Sequence, residues 1–154
     1  MLKNKNTGFT LIEVLILVLV VAVMITMAIG PSLTSSFYRA RDSRRKADLK
    51  KTANLLEDYY NDYSSYPPAL FWGEDFPPYV NQLPKDPRGT GAYGYNYQTD
   101  PVAGQFFAVF AILENADDPD ISASGCSSGC GPGLNYNYAV LSPNARLVNG
   151  MPEI

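Results

Sequence analysis

The hydrophobic pattern of the chain changes character twice. Residues 9–30, FTLIEVLILVLVVAVMITMAIG, are apolar without any period and carry one charge, Glu13. A helix that is hydrophobic on every side has to be covered by something other than water. At 1.5 Å per residue the run measures about 33 Å, close to the ~30 Å hydrocarbon thickness of a bilayer, and is expected to cross a membrane once. An ordinary secretory signal fits less well, because such signals have a shorter apolar core and a small-residue cleavage site at its far end. The best such site here, Ala28-Ile29-Gly30, is followed by Pro31.

Past this run the pattern becomes periodic. Pro31 cannot donate to the Met27 carbonyl and Gly30 is a poor helix former, so the pair predicts a kink or local loosening without ending the helix. Leu49, Ala53, Leu56, Tyr60 and Tyr63 then recur at spacings of 4, 3, 4 and 3, the apolar stripe of an amphipathic helix over residues 32–63. The stripe is expected to pack under a head, leaving residues 39–51 on a more exposed basic neck. Ser64, Ser65 and Pro67 supply the stop.

Three strand candidates follow, residues 95–99, 106–113 and 136–141, each rich in aromatic or β-branched side chains and bounded by turn residues. The expected fold class is therefore α+β: a long N-terminal helix, half transmembrane and half amphipathic, with a small antiparallel sheet laid on the stripe. The Pro- and Gly-rich connection of residues 68–92 contains LFWGEDFPPYV. Its rings, Trp72 among them, are expected to plug the connection onto the head rather than to bind a ligand.

Charge splits along the same line. Residues 1–51 hold nine Lys or Arg against Glu13, Asp42 and Asp48, whereas residues 52–154 hold three against twelve acids. A head with that excess of acid repels phosphate backbones, so no direct nucleic-acid binding is expected of it. The basic stretch of residues 38–51 reads either as a solvated helix face or as a surface for the acidic heads of neighbouring subunits or for anionic lipid headgroups.

Histidine is absent, which removes the commonest general base and metal ligand, and no nucleophile and base pair stands out, so the chain is not read as an enzyme. Cys126 and Cys130 are the two cysteines, too few for a four-ligand zinc site within one chain. A disulfide between them is favoured over two free thiols and would contribute about 2 kcal/mol in an oxidising compartment. Asp117, Asp118 and Asp120 cluster just before them as weak candidates for a calcium ion, a solvated acidic loop being the default. No other cofactor is expected.

Glu13 needs a reason, because an acid near the centre of a bilayer costs about 2.5–3.5 kcal/mol. Four residues from Phe9 it lies nearer one interface, where it either snorkels or awaits a cation from another molecule.

The string Lys5-Asn6-Thr7-Gly8-Phe9-Thr10-Leu11-Ile12-Glu13-Val14 resembles the processing motif of type IV pilins and of the pseudopilins of type II secretion, with a short leader bearing Lys3 and Lys5. The resemblance implies that a prepilin peptidase cuts between Gly8 and Phe9 and that Phe9 becomes N-methylated. Glu13 would pair with the α-amine of a neighbouring Phe9 during assembly into a homo-oligomeric helical filament, driven by an inner-membrane platform. The order would be leader 1–8, polymerisation helix 9–31, stalk 32–63 and head 64–154. The precursor would sit in the cytoplasmic membrane as a single-pass protein before joining an extracellular or periplasmic filament. The five cations of residues 39–46 argue for the opposite orientation under the positive-inside rule, and the processing motif is given precedence.

Within the family, residues 83–89 followed by Tyr93-Gly94-Tyr95 resemble the segment that opens the sheet in major pseudopilins, whereas the cysteine loop leans toward a pilin. A pilus subunit is the first reading and a major pseudopilin the alternative. A membrane-anchored binding module without cleavage is the third.

Overall fold

The computed structural model describes residues 8–89 and 91–154, without the side chains of residues 28–35. It divides into two compact units, Met1–Phe37 and Tyr38–Ile154. Helix α1, Leu11–Tyr63, contributes to both. Gly30 and Pro31, where a kink was expected, lie outside the described side chains, and the helical assignment continues through them.

In the first unit every described side chain from Leu11 to Met27 is exposed. Only Glu13 and Thr26 interrupt the apolar surface, and Thr26 returns its hydroxyl to the Val23 carbonyl at 2.8 Å. Among the described residues no helix is long and apolar enough to cross a membrane. The described apolar side chains cover residues 11–27, about 26 Å of helix against a ~30 Å hydrocarbon layer. Residues 28–30, which complete the expected span, fall outside them.

The second unit is built on the C-terminal part of α1, so this stretch of helix belongs with the head. α1 ends at Tyr63 because Ser64 turns left-handed, φ 57°, and its N–H closes onto the Tyr60 carbonyl at 2.7 Å. Strands β1 (Asn96–Thr99), β2 (Phe107–Ala111) and β3 (Tyr138–Leu141) form an antiparallel sheet in the order β1-β2-β3. Each lies within a stretch expected to be a strand. Val109 opposes Tyr97 on one side and Val140 on the other, and Phe110 opposes Asn96 and Ala139. Because successive residues alternate faces, this register sorts the sheet into two sides.

One side, with Phe107, Val109, Ala111 and Tyr138, packs on Leu49, Ala53 and Leu56 of α1. The expected stripe is real over those three residues and Tyr60, which is half-buried. Tyr63 departs from it: the residue is 59% exposed and its ring lies tilted against Tyr59, centroids 4.4 Å apart, because the helix has by then run past the sheet's cover. The connection of residues 68–92 does plug onto the head, with Trp72 edge-on to Tyr95 at 5.3 Å and Phe76 stacked on Tyr59 at 5.5 Å.

The other side of the sheet carries Ala108, Phe110 and Ala139 and is covered by Cys126, Cys130, Tyr136 and Leu147. Its cover comprises the cysteine loop and a hairpin of β4 (Arg146–Val148) and β5 (Met151–Glu153), whereas a short helix α2 (Pro119–Ala123) puts Ile121 into the core on the α1 side. The sequence reading did not foresee the hairpin. Its signal is Asn149-Gly150, both with positive φ (52° and 78°), the two-residue turn that antiparallel strands favour.

Candidate assembly site

Two regions gather chemistry. At the start of α1, Gly8 has open space around it and Phe9 is 81% exposed, so the bond between them is accessible. Thr10 and Glu13 form a reciprocal cap. The Glu13 N–H faces Thr10 Oγ1 at 3.4 Å and the Thr10 N–H faces Glu13 Oε2 at 3.5 Å. This Thr-x-x-Glu arrangement turns the carboxylate back toward the helix N-terminus, where the macrodipole also favours negative charge. The Glu13 carboxylate therefore lies on the Phe9 side of the helix. Phe9, Leu11, Val14, Leu15 and Val18 line an open apolar groove alongside. Thr10 went unremarked in the sequence, although a Thr three residues before a Glu at the head of an apolar run is the signature of such a cap.

The second region locks α1 to the head through charge. Arg45 is fully buried, with Nε 2.6 Å from Asp86 Oδ2 and Nη1 2.7 Å from both Asp42 Oδ1 and Glu114 Oε1. Arg41 grips Glu114 with two parallel bonds at 2.7 and 2.6 Å, and Arg88 reaches it at 3.3 Å. Asp42 also accepts the backbone N–H groups of Glu114 and Asn115, both at 2.9 Å. Tyr93 lies under the guanidinium groups of Arg45 and Arg88, at 5.1 and 4.3 Å from its centroid.

The charge states follow from this geometry. The bond from Arg41, resisted by burial and reinforced by Arg45, draws the Glu114 carboxyl down to about 2. Burial opposes the charge on Arg45, and its bonds to Asp86, Glu114 and Asp42 outweigh that, holding the guanidinium above its ordinary range. Lys46 sits between Asp120 at 2.8 Å and Asp118 at 3.0 Å. Its bond to Asp120 raises it against the opposing effect of burial. Burial would raise Asp118, but its bonds with the Lys46 ammonium and the Asp120 N–H lower it.

The expected exposed basic neck is thus corrected. Arg41, Arg45 and Lys46 are drawn into the chain's own head, and Arg39, Arg44, Lys50 and Lys51 remain exposed. Hydrophobic periodicity treats a charged position as outward-facing, yet Asp42, Arg45, Leu49, Thr52 and Leu56 are one continuous buried face. Charge complementarity extends the stripe by two turns.

The prokaryotic N-terminal methylation motif matches residues 3–29. The chain is 25% identical over 151 residues to the type IV major pilin protein PilA of Myxococcus xanthus, covering 97% of this chain and 60% of the relative. To the type II secretion system core protein G of Vibrio cholerae it is 30% identical over 100 residues, 56% of this chain and 68% of the relative. The chain belongs to the type IV pilin and pseudopilin family. No solved structure matches it.

As a member of that family, the chain sets Gly8, Phe9 and Glu13 together at one end of an apolar helix, while leader residues Lys3 and Lys5 lie outside the described residues. Its cysteines are joined, Cys126 to Cys130, and both are buried. Two of the three acids read as weak calcium candidates, Asp118 and Asp120, are bridged by Lys46. Among the described residues no group of three or more acids or cysteines is arranged to hold a metal.

Proposed function

We propose that this chain is a structural subunit of an extracellular type IV pilus-like filament. It would be held in the cytoplasmic membrane as a precursor, cut between Gly8 and Phe9 by a prepilin peptidase, methylated on Phe9 and polymerised through its N-terminal helix by an inner-membrane platform. The observation that carries this reading is the accessible Gly8–Phe9 junction placed immediately before a helix whose apolar surface is exposed all round. Such a surface is stable only in lipid or against other copies, and a cut at Gly8 converts the first environment into the second. The new α-amine would then meet the Glu13 carboxylate of a neighbour. A buried charge missing its partner is strongly penalised, so the pair enforces register. The role is structural, and the chain itself performs no reaction.

A second reading, a major pseudopilin of type II secretion, is favoured by one feature of the head. The Lys85-Asp86-Pro87-Arg88-Gly89 stretch that resembles that group carries both Asp86 and Arg88 of the buried network. The two readings share the same stalk. Intact-mass and N-terminal peptide mass spectrometry of chain recovered from producing cells tests both: the mature form should begin at a methylated Phe9, and recovery of an intact Met1 terminus would reject filament assembly altogether. Shearing the cells and comparing the secreted proteins of a deletion strain then separates pilus from pseudopilus.

A further inference from the structure

The cations left over from the head network lie on the opposite, solvent-facing side of α1. Lys50 and Lys51 are exposed and have no hydrogen-bond or ion-pair partner among the described residues. Two turns further on the same side carries Asp58, also exposed and unpaired among the described residues, and Asp62, whose carboxylate takes only the Tyr79 hydroxyl at 2.6 Å. Lys51 and Asp58 are seven residues apart, which places them on one line of the helix but about 10.5 Å apart along it. Pairs within a helix form at three or four residues, so these charges cannot satisfy each other. The exposed face is therefore basic at one end and acidic at the other. Asn54, exposed and short enough to let another surface approach, lies in between, and exposed Ala47 precedes the lysines.

We propose that this face docks a second copy of the same chain, running parallel and displaced by two to three turns, so that Lys50 and Lys51 of one copy meet Asp58 and Asp62 of the next. The occupant follows from charge complementarity within one surface: a basic partner would be repelled by Lys50 and Lys51, an acidic one by Asp58 and Asp62, and a displaced copy matches both. An antiparallel copy would match them as well, but two chains anchored in one membrane by the same end run in the same direction. The proposal rests on the filament reading in that respect. The rings of Tyr59 and Tyr63 beside Asp62 add faces on which a lysine can settle. The face specifies which heads become neighbours, whereas the apolar helix supplies the bulk of the cohesion.

The test uses full-length chain in producing cells, with sheared filaments quantified by immunoblot and the processed chain in the membrane as a control for folding and maturation. K50E/K51E and D58K each put like charges across the interface and are expected to lower filament yield about tenfold at unchanged processed chain. D58K leaves the Asp62–Tyr79 bond intact, and the lysine positions have no partner to lose among the described residues. The combined variant K50E/D58K, which restores an opposite pair at those two positions and keeps Lys51 against Asp62, should return to within about twofold of the unaltered chain, a rescue that damage to the fold would not produce. Unchanged yield in both reversals, or a combined variant as poor as D58K, overturns the proposal. So does a Lys51-dependent dimer of the detergent-solubilised chain accompanied by normal filaments, which would assign the face to an antiparallel pair. Glu13→Ala separates this from failure of the filament reading: filaments lost with Glu13→Ala but kept in the reversals reject the docking face alone, while filaments absent from the unaltered chain reject both.

Discussion

Arg45 Nε donates to Asp86 Oδ2 at 2.6 Å, and both side chains are fully shielded from water. The two residues are 41 positions apart, and their contact fixes the register of α1 against the connection that opens the sheet. Burying ions is costly, and their attraction offsets that only when every donor and acceptor is matched. Here Asp42 and Glu114 complete the set around the same guanidinium. The network therefore specifies one seating of the helix where an apolar contact would tolerate several.

Arg45→Met should accordingly destabilise the head severely. The substitution leaves three carboxylates with side chains 0–4% exposed and removes the cation they share. Loss of one partner from a buried pair costs about 3–5 kcal/mol, enough to lower the melting temperature of a domain this size by roughly 10 °C or more. Near-ultraviolet circular dichroism of the detergent-solubilised chain reads it. Arg45→Lys should recover less than half of the loss, since an ammonium cannot reproduce the fork that bonds Asp86 twice, at 2.6 and 3.2 Å.

Acid should weaken the same joint. The Glu114 carboxyl sits near 2 in the folded head, chiefly through its bond from Arg41, against an ordinary value of 4.5. Below 4.5 the unfolded chain takes up a proton that the folded chain refuses, so stability rises with pH across this window. The contribution, on the order of 3 kcal/mol, is complete above pH 4.5 and is lost as the pH falls toward 2. Urea midpoints measured through that range should decline in the native chain. In Glu114→Gln the head starts less stable at neutral pH and this part of the acid slope disappears.

Lys46 bears on the acidic loop. Its ammonium lies within 3.2 Å of both Asp118 oxygens and within 2.8 Å of Asp120, supplying from inside the chain the positive charge that a calcium ion would bring. Melting temperature is therefore expected to differ by less than about 1 °C between millimolar calcium and chelator, because a cation that displaces Lys46 gains little. Lys46→Met should cost about 1–3 kcal/mol and expose the loop to dependence on added cations. A calcium-dependent rise in the unaltered chain would show that the loop opens to admit the ion.

The disulfide serves the outer face of the sheet. Cys126 and Cys130 pack against Phe110 and Ala139, and the Cys130 N–H and carbonyl bridge to Tyr136 at 2.7 and 3.1 Å. Cys126→Ser with Cys130→Ser is expected to cost about 2 kcal/mol, felt first in the cover. Hydrogen exchange should accelerate in residues 124–136 while the α1 amides around Leu49 and Leu56 keep their protection.

The sequence made some of these relations visible and hid others for physical reasons. The strands, the Leu49–Ala53–Leu56 stripe and the cysteine pair were legible because each is a local pattern of apolar side chains or a unique pair. The seating of Arg45 was not, since a buried arginine has the same letter as an exposed one and its partners Asp86 and Glu114 lie 41 and 69 residues away. Tyr63 kept the right spacing yet lies outside the core, because periodicity tells which side of a helix is apolar and not where its cover ends.

Glu13 combines two roles that one substitution cannot separate. Its carboxylate caps Thr10 within the chain, and it is also proposed to receive the amine of a neighbouring Phe9. Glu13→Ala removes both, whereas Glu13→Gln keeps an acceptor for the Thr10 N–H and removes only the charge. If the charge pair governs assembly, both variants should be processed at Gly8 and inserted normally, and both should fail to yield sheared filaments. If the cap is what matters, Glu13→Gln should assemble as well as the unaltered chain, and Thr10→Ala should fail in its place. The pair of outcomes is read from filament yield at constant processed chain. Normal yield from Glu13→Gln would remove the intersubunit ion pair from the proposed function and leave the capped helix start as its determinant.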